Sequence, residues 1–291
     1  MNGILLIDKP EGWTSSDVVV KLKGVLHERR IGHAGTLDPM ATGLLTVFVG
    51  RATRAVEFAE QHSKRYTAHL RLGVVTDTQD ITGNISETHD VHVSDAELDA
   101  VLERFTGEQL QIPPMYSAIK VKGKRLYDIA RSGGEIERKP RRITVDFIRR
   151  LGKDGDDVVL DIGCSKGTYV RTLCNDIGAA LGCGGCMSAL RRTEAGMFSL
   201  ADAHTLDEVI TAANEGRADK LLIPVSRLFD NLPEWCADEE CERRIKCGND
   251  VKAPEIPEGE YRVYSKQGEF LMLGRAENGI MKTVKSFFEV S

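Results

Sequence analysis

The stretch Gly32-His33-Ala34-Gly35-Thr36-Leu37-Asp38-Pro39-Met40-Ala41-Thr42-Gly43-Leu44-Leu45 holds one imidazole, one carboxylate and three glycines before it turns apolar. Proline disfavours the helical region for the residue before it, so Asp38 is expected in extended backbone, presented from a stiff loop. The three glycines permit tight turns and close approach of another group to the backbone. A carboxylate held this way can attack as a nucleophile, or stabilise charge while a bond breaks. The same residues serve equally as an Asp-Pro turn between two elements. They do not form a phosphate loop, because no Gly-Lys-Ser/Thr follows the glycines. Nor does the stretch supply the second carboxylate that glycoside hydrolysis ordinarily needs. Cys183-Gly184-Gly185-Cys186 also invites chemistry. A structural zinc site takes four ligands, however, and neither a second such pair nor Cys236, Cys241 and Cys247 supplies the spacing. No metal is expected.

The chain of 291 residues carries a formal charge of −5, which argues against a nucleic-acid partner only until its distribution is read. Residues 116–150 hold 11 Lys and Arg against 4 Asp and Glu, a local +7. Residues 71–115 are a local −7 and residues 201–246 a local −5. Acidic faces thus mask one concentrated basic segment, which serves either as a solvated loop or as a phosphate-binding patch. No apolar run is long enough to span a bilayer. Met1-Asn2-Gly3-Ile4 has no basic region before its apolar run, so no signal peptide is expected. Seven scattered cysteines suit reduced thiols in the cytoplasm better than a disulfide framework.

The run from Gly32 to Leu45, followed by Gly50-Arg51-Ala52-Thr53, resembles the catalytic motif of the TruB family of tRNA pseudouridine(55) synthases. Further segments follow in that family's order: Leu5-Leu6-Ile7-Asp8-Lys9-Pro10, Lys64-Arg65-Tyr66, Gln111-Ile112-Pro113-Pro114-Met115-Tyr116-Ser117-Ala118 and Cys164-Ser165-Lys166-Gly167-Thr168-Tyr169-Val170-Arg171-Thr172. The resemblance covers most of the chain. One departure is Thr46, where proline is expected. It implies a cofactor-free isomerase that converts uridine to pseudouridine in the T stem-loop of tRNA, with Asp38 as the catalytic residue. The glycosidic carbon–nitrogen bond breaks and a carbon–carbon bond forms to the same base, with no redox change. The base must leave the RNA stack at a cost of a few kcal/mol. Tyr66 matches the tyrosine that lies against the flipped base, a contact worth roughly 1–3 kcal/mol. Arg171 matches the arginine that pairs with the catalytic carboxylate, favouring its ionised form. His33 matches the histidine beside the flipped nucleotide, and Tyr169 and Leu190 match positions lining the uracil pocket. Lys9-Pro10 matches a motif near the site, with no chemistry assigned to it.

The elements that must position these residues are legible in outline. Met1–Asp8 reads as an apolar strand, and Ser15 or Ser16 can cap a helix to about Arg29. Leu44–Val49 is a buried strand, and Thr53–Glu60 is helical. Ala68, Leu70 and Leu72 alternate with His69 and Arg71, predicting a half-buried strand over Lys64–Val74. Thr76–Asp90 is a polar loop. Capping boxes at Ser94-x-x-Glu97 and Thr205-x-x-Glu208 open two helices. Residues 111–142 are rich in proline, glycine and charge, with room for a short helix over Lys124–Arg131; so long an irregular segment is usually functional. Arg142–Leu151 and Val158–Cys164 pair across Asp154-Gly155-Asp156, and Thr168–Leu181 is a helix. After Gly248 short strands are expected at Tyr261–Ser265, Phe270–Leu273 and Met281–Val284.

These elements predict a mixed α/β (α+β) protein. Residues 1–235 form a catalytic domain on a mixed sheet with flanking helices, carrying the basic loop at about 111–142. Residues 236–291 form a small β-rich domain that resembles a PUA RNA-binding module. Lys122, Lys124, Arg125, Arg141 and Arg142 are expected to contact phosphates. The partner is tRNA, without membrane or metal, and the protein is expected to be a monomer. A chain ending near Leu232 is expected to keep turnover on an isolated stem-loop if it folds. Two other classes share features of the sequence: an RNA-binding or RNA-folding protein without catalysis, and a guide-dependent pseudouridine synthase.

Overall fold

The computed structural model describes residues 1–117, 120–121, 124–126, 129, 134 and 136–288. Among them, nine strands form one sheet, whose main path runs Gly3–Lys9, Thr42–Val49, Gly185–Ala195, Lys64–Leu72, Asp157–Cys164, Arg141–Asp154, Gly107–Gln111. Ile31–Ala34 adds to Thr42–Val49, and Phe198–Ser199 to Gly185–Ala195. Every pairing is antiparallel except the short parallel join of Gly185–Ala195 to Thr42–Val49, made at Arg191↔Thr42 and Arg192↔Gly43. That join carries the candidate site.

The first two strands of the path are apolar on both faces and are covered on both. Ile4 and Leu6 pack with Leu44 and Phe48 on one side; Leu5 and Ile7 pack with Leu45, Val47 and Val49 on the other, under the helices Ser15–Val25 and Leu206–Asn214. A third cluster joins Leu70, Leu160 and Ile162 of the sheet to the helices Asp95–Arg104 and Val170–Ala180. In Lys64–Leu72 the buried residues are Tyr66, Ala68, Leu70 and Leu72, the expected period of two.

Both expected capping boxes form, at Ser94 and Thr205. The first helix differs: Thr14 is its cap, reciprocated by Asp17, and it ends at Val25, before His27 turns left-handed at φ 51°. Because Thr14 does the capping, the Ser15 hydroxyl is free to bond elsewhere. Ile31–Ala34 is a strand rather than loop. Gly185–Ala195 is an eleven-residue strand that no alternation announced: Gly185–Met187 are all buried, and bulges between Met187 and Ala189 and between Arg192 and Glu194 break the period. Half of the expected helix over Lys124–Arg131 lies outside the described residues, and Lys124–Arg125 pairs with Lys120–Val121 as strands.

Gly43 is required at the parallel join. It sits at φ +95°, and a Cβ there would fall 2.3 Å from the Arg192 carbonyl oxygen and 2.8 Å from its nitrogen. Gly43→Ala is expected to cost about 2–5 kcal/mol through left-handed strain and overpacking. A urea titration checks this: the midpoint should fall with little change in slope.

A second sheet, ordered Glu234–Cys236, Gly259–Tyr264, Phe270–Glu277, Ile280–Ser286, Val251–Lys252, carries the helix Glu239–Lys246. One side has its own core around Val263, Leu271 and Met281. The other side is not separate. Leu273 and Phe287 join Phe198, Val225 and Phe229 in one cluster with the first sheet. Phe229 meets Phe58 edge-on at 5.2 Å and Phe287 at 6.1 Å, and Phe270 stacks on Phe287 at 5.2 Å. Arg54 donates to Ser286 Oγ at 2.6 Å and Lys285 pairs with Glu57 at 2.6 Å across the same seam. Cutting at Leu232 therefore strips the aromatic partners Phe270 and Phe287 from Phe229.

Candidate active site

Asp38 sits in a loop fixed at nearly every residue. Ser15, buried in the first helix, accepts a bond from the Leu37 amide (2.9 Å) and donates one to the Leu37 carbonyl (3.1 Å). The Pro39 carbonyl accepts from the Gly12 amide at 2.8 Å, and the Asp38 carbonyl from the Ala41 amide at 3.0 Å. Lys9, fully buried, donates to the carbonyls of Pro10 (2.8 Å), Trp13 (2.7 Å) and Pro39 (3.4 Å). Burial pushes its amine down to about 8. Through these bonds the Lys9-Pro10 motif fastens the first strand to the Asp38 loop.

Arg171 lies in the first turn of the helix Val170–Ala180. Tyr169 caps that helix without a side-chain bond. The Gln111 amide instead brackets the Tyr169 backbone, accepting from its N–H (2.8 Å) and donating to its carbonyl (3.1 Å). Gly178 lets the helix press on the next strand, since a Cβ there would lie 2.3 Å from the Gly185 nitrogen. The Arg171 guanidinium then bridges two carboxylates. Nη2 reaches Asp38 Oδ2 at 2.5 Å, and Nη1 reaches Asp80 Oδ2 at 3.3 Å. The side chains of Arg171 and Asp80 are 9% and 5% exposed, that of Asp38 37%. Asp38 is the one member of the triplet open to another molecule. Burial pushes its carboxyl above the usual carboxylate range, Arg171 opposes this, and the Asp80 charge adds to it.

Asp80 is a site residue that sequence reasoning missed. The segment expected as a loop over 76–90 is in fact a hairpin, with Ile85–Thr88 paired to Val74–Thr76, and Asp80 lies in its turn, which folds back so that Ile81 N–H bonds the Met187 carbonyl at 2.9 Å. Its other oxygen accepts from Thr78 Oγ (2.9 Å), the Thr82 amide (3.0 Å) and Thr82 Oγ (2.5 Å). Asp80 is therefore oriented independently of Arg171.

The remaining expected residues fall as follows. Tyr66 is buried across from Arg192 in the sheet, with Ile162 on its other side. Burial raises its phenol, and the charge of Arg192 opposes this. Leu190 shares a cluster with Leu37, Met40 and Tyr66. His33 stands on the strand Ile31–Ala34 opposite Val47, its Nδ1 buried without a partner. Burial and the Arg192 charge keep its imidazole below the usual value. Tyr169 is half-buried at the helix start. Arg141 and Arg142 are exposed where the strand Arg141–Asp154 begins, opposite Gln111 and Leu110. Lys122 lies outside the described residues, as do the side chains of Lys124 and Arg125. Among the described residues no cluster of three metal-ligating side chains occurs, and no helix is long and apolar enough to cross a membrane.

This arrangement offers one accessible carboxylate, oriented by a sequestered guanidinium, beside a buried phenol. The whole chain shares its fold with a chain in the crystal structure of a Cbf5-Nop10-Gar1 complex, at a TM-score of 0.76 and 27% identity, covering 99% of this chain and 85% of that one. A chain of the archaeal box H/ACA sRNP Nop10-Cbf5 complex matches at a TM-score of 0.74 and 26% identity, covering 99% of this chain and 87% of that one. Residues 23–170 match the TruB family pseudouridylate synthase N-terminal domain, and residues 171–230 the tRNA pseudouridylate synthase B C-terminal domain. The chain belongs to the TruB family of pseudouridylate synthases. It is 41% identical to tRNA pseudouridine synthase B of Clostridium kluyveri over 99% of this chain and all of that protein. It is 42% identical to tRNA pseudouridine synthase B of an Azoarcus species, over 97% and 93% of the two. The triplet Asp38, Arg171, Asp80 draws on both matched segments.

Proposed function

We propose that this protein isomerises uridine 55 in the T-loop of tRNA to pseudouridine, working as a cytoplasmic monomer without cofactor. The observation that carries the reading is the accessible Asp38 carboxylate fixed by Arg171, in a chain alike along its whole length to tRNA pseudouridine synthase B. The uridine flips from the RNA stack into the opening beside Asp38. Its base lies against Tyr66, with His33, Tyr169 and Leu190 around it. Asp38, ionised and oriented by Arg171, acts as nucleophile or counter-charge while the glycosidic bond breaks and the carbon–carbon bond forms. The test is to incubate the purified protein with unmodified tRNA transcript, without guide RNA, and to map pseudouridine. Product at position 55 supports the reading and separates it from a guide-dependent relative. A fully folded protein that leaves the uridine unchanged overturns it.

The C-terminal sheet and the basic segment supply affinity in this reading. Arg141 and Arg142 contact phosphates together with Lys122, Lys124 and Arg125. Replacing the last three by Ala should weaken tRNA binding and flatten its salt dependence, by about 0.9 in log–log slope per duplex phosphate and about 0.7 per single-stranded one. Filter binding between low and moderate salt measures this, and an unchanged slope removes these residues from the interface.

A further inference from the structure

Arg192 is among the largest fully buried side chains of the protein, at 1% exposed. A buried guanidinium ordinarily needs a carboxylate, because its desolvation is expensive. Among the described residues none pairs with this one. Its donors go instead to neutral acceptors on two chain segments. Nε donates to the Leu44 carbonyl at 2.7 Å and Nη2 to the Gly35 carbonyl at 2.8 Å, while the residue stands directly opposite Tyr66 in the antiparallel ladder. Gly35 and Leu44 bracket the Asp38 loop at its two ends, and Tyr66 stands on the neighbouring strand. Nη1 comes within 3.2 Å of where a Cβ on Gly35 would lie, at φ +69°, so the loop wraps the guanidinium closely. The backbone ladder joins Arg192 to Gly43 and Tyr66, but it cannot reach Gly35. The side chain closes that gap.

A methionine would fill the space without the desolvation cost. The use of a cation here is thus not explained by packing. We infer that Arg192 is a positioning residue for the isomerisation: it fastens both ends of the Asp38 loop to the ladder position facing Tyr66 and so sets the distance between carboxylate and phenol across the bound base. The inference rests on the isomerase reading above.

The test compares wild type, Asp38→Asn and Arg192→Lys in one single-turnover assay with tRNA in the presence of excess enzyme, alongside filter binding and thermal unfolding. Lysine keeps the charge but reaches one acceptor rather than two. The expected result for Arg192→Lys is a folded protein, binding tRNA within about threefold of wild type, whose rate falls at least about 30-fold, since small misplacement of reacting groups is costly. A folded Arg192→Lys protein that turns over within threefold of wild type overturns the inference, and so does a rate loss matched by lost binding. Inactive wild type ends the isomerase reading and this inference with it, whereas active wild type with an indifferent Arg192→Lys ends this one alone. If Arg192→Lys does not fold, Arg171→Lys protein answers by nitrogen-15 NMR, since the other buried arginine among the described residues is then gone. One arginine side chain should retain slowly exchanging Nη protons whose signals move on adding Tyr66→Phe. Absence of such protons, or their indifference to Tyr66→Phe, overturns the inference.

Discussion

Asp38→Asn is expected to abolish turnover and leave tRNA binding intact. The amide keeps shape and volume and removes charge and nucleophilicity. No other carboxylate of the loop can replace it, because Asp38 is the only acid between Gly32 and Leu45. Asp80 cannot stand in either, being buried and engaged by Arg171, Thr78 and Thr82. The rate should fall at least about 10³-fold, or about 4 kcal/mol of barrier. Affinity should hold or tighten slightly, since a negative charge facing the RNA backbone is removed. Stability should not fall. The Asp38 carboxyl is raised in the folded protein, so its contribution is fully present below the ordinary aspartate value and is lost as pH rises through the folded value. At neutral pH the ionised group is a burden that asparagine lifts. Single-turnover rates, filter binding and thermal unfolding read the three claims separately. Conversion by Asp38→Asn at more than a trace of the wild-type rate would falsify the central assignment.

The second large effect is expected at Arg171, and it has two components. Arg171→Ala leaves Asp80 buried without its cation, which should destabilise the protein by about 3–5 kcal/mol. It also frees Asp38 to turn and to hold its proton more tightly, so turnover should collapse. The double variant Asp38→Asn with Arg171→Ala should be no slower than Asp38→Asn alone, because residues acting as one unit are not additive. Arg171→Lys separates the components: it restores a charge but cannot bridge two carboxylates. It should recover most of the stability and remain about 10²-fold slow. Asp80→Asn probes the far end of the bridge. Removing that charge lowers the Asp38 carboxyl, so the acid limb of the single-turnover pH profile should move to lower pH while the plateau falls. A plateau at the wild-type level would remove Asp80 from the positioning of Arg171.

The residues that sequence reading found are those whose neighbours in the chain create their environment. Pro39 sets the backbone of Asp38, and the capping boxes at Ser94 and Thr205 are four-residue events. The alternation of Lys64–Leu72 is local as well. Asp80 and Arg192 escaped because nothing nearby marks them. Asp80 is one of nine acids between residues 71 and 115 and looks like part of a solvated loop. Its burial follows only when the loop docks on Met187. Arg192 stands in Arg191-Arg192, where one guanidinium is half-exposed on Asp8 and the next is sealed beneath a glycine loop. No composition or periodicity separates the two. Bulges between Met187 and Ala189 and between Arg192 and Glu194 interrupt the period of two, which is why Gly185–Ala195 is not legible as a strand. The Thr14 cap was missed for a subtler reason: Ser15 is an equally good capping residue, and its hydroxyl is committed to Leu37.

The seam of Phe58, Phe229, Phe270 and Phe287 gives the protein the character of a caliper. Both jaws grow from one aromatic hinge block, and the block is solid. If the second sheet holds RNA as proposed above, the shared aromatic core sets the span from that sheet to Asp38, and the RNA must bring its loop to the carboxylate at that span. A stem lengthened by one base pair should bind nearly as tightly and react far more slowly, because the missing reach cannot be recovered by swinging one sheet against the other.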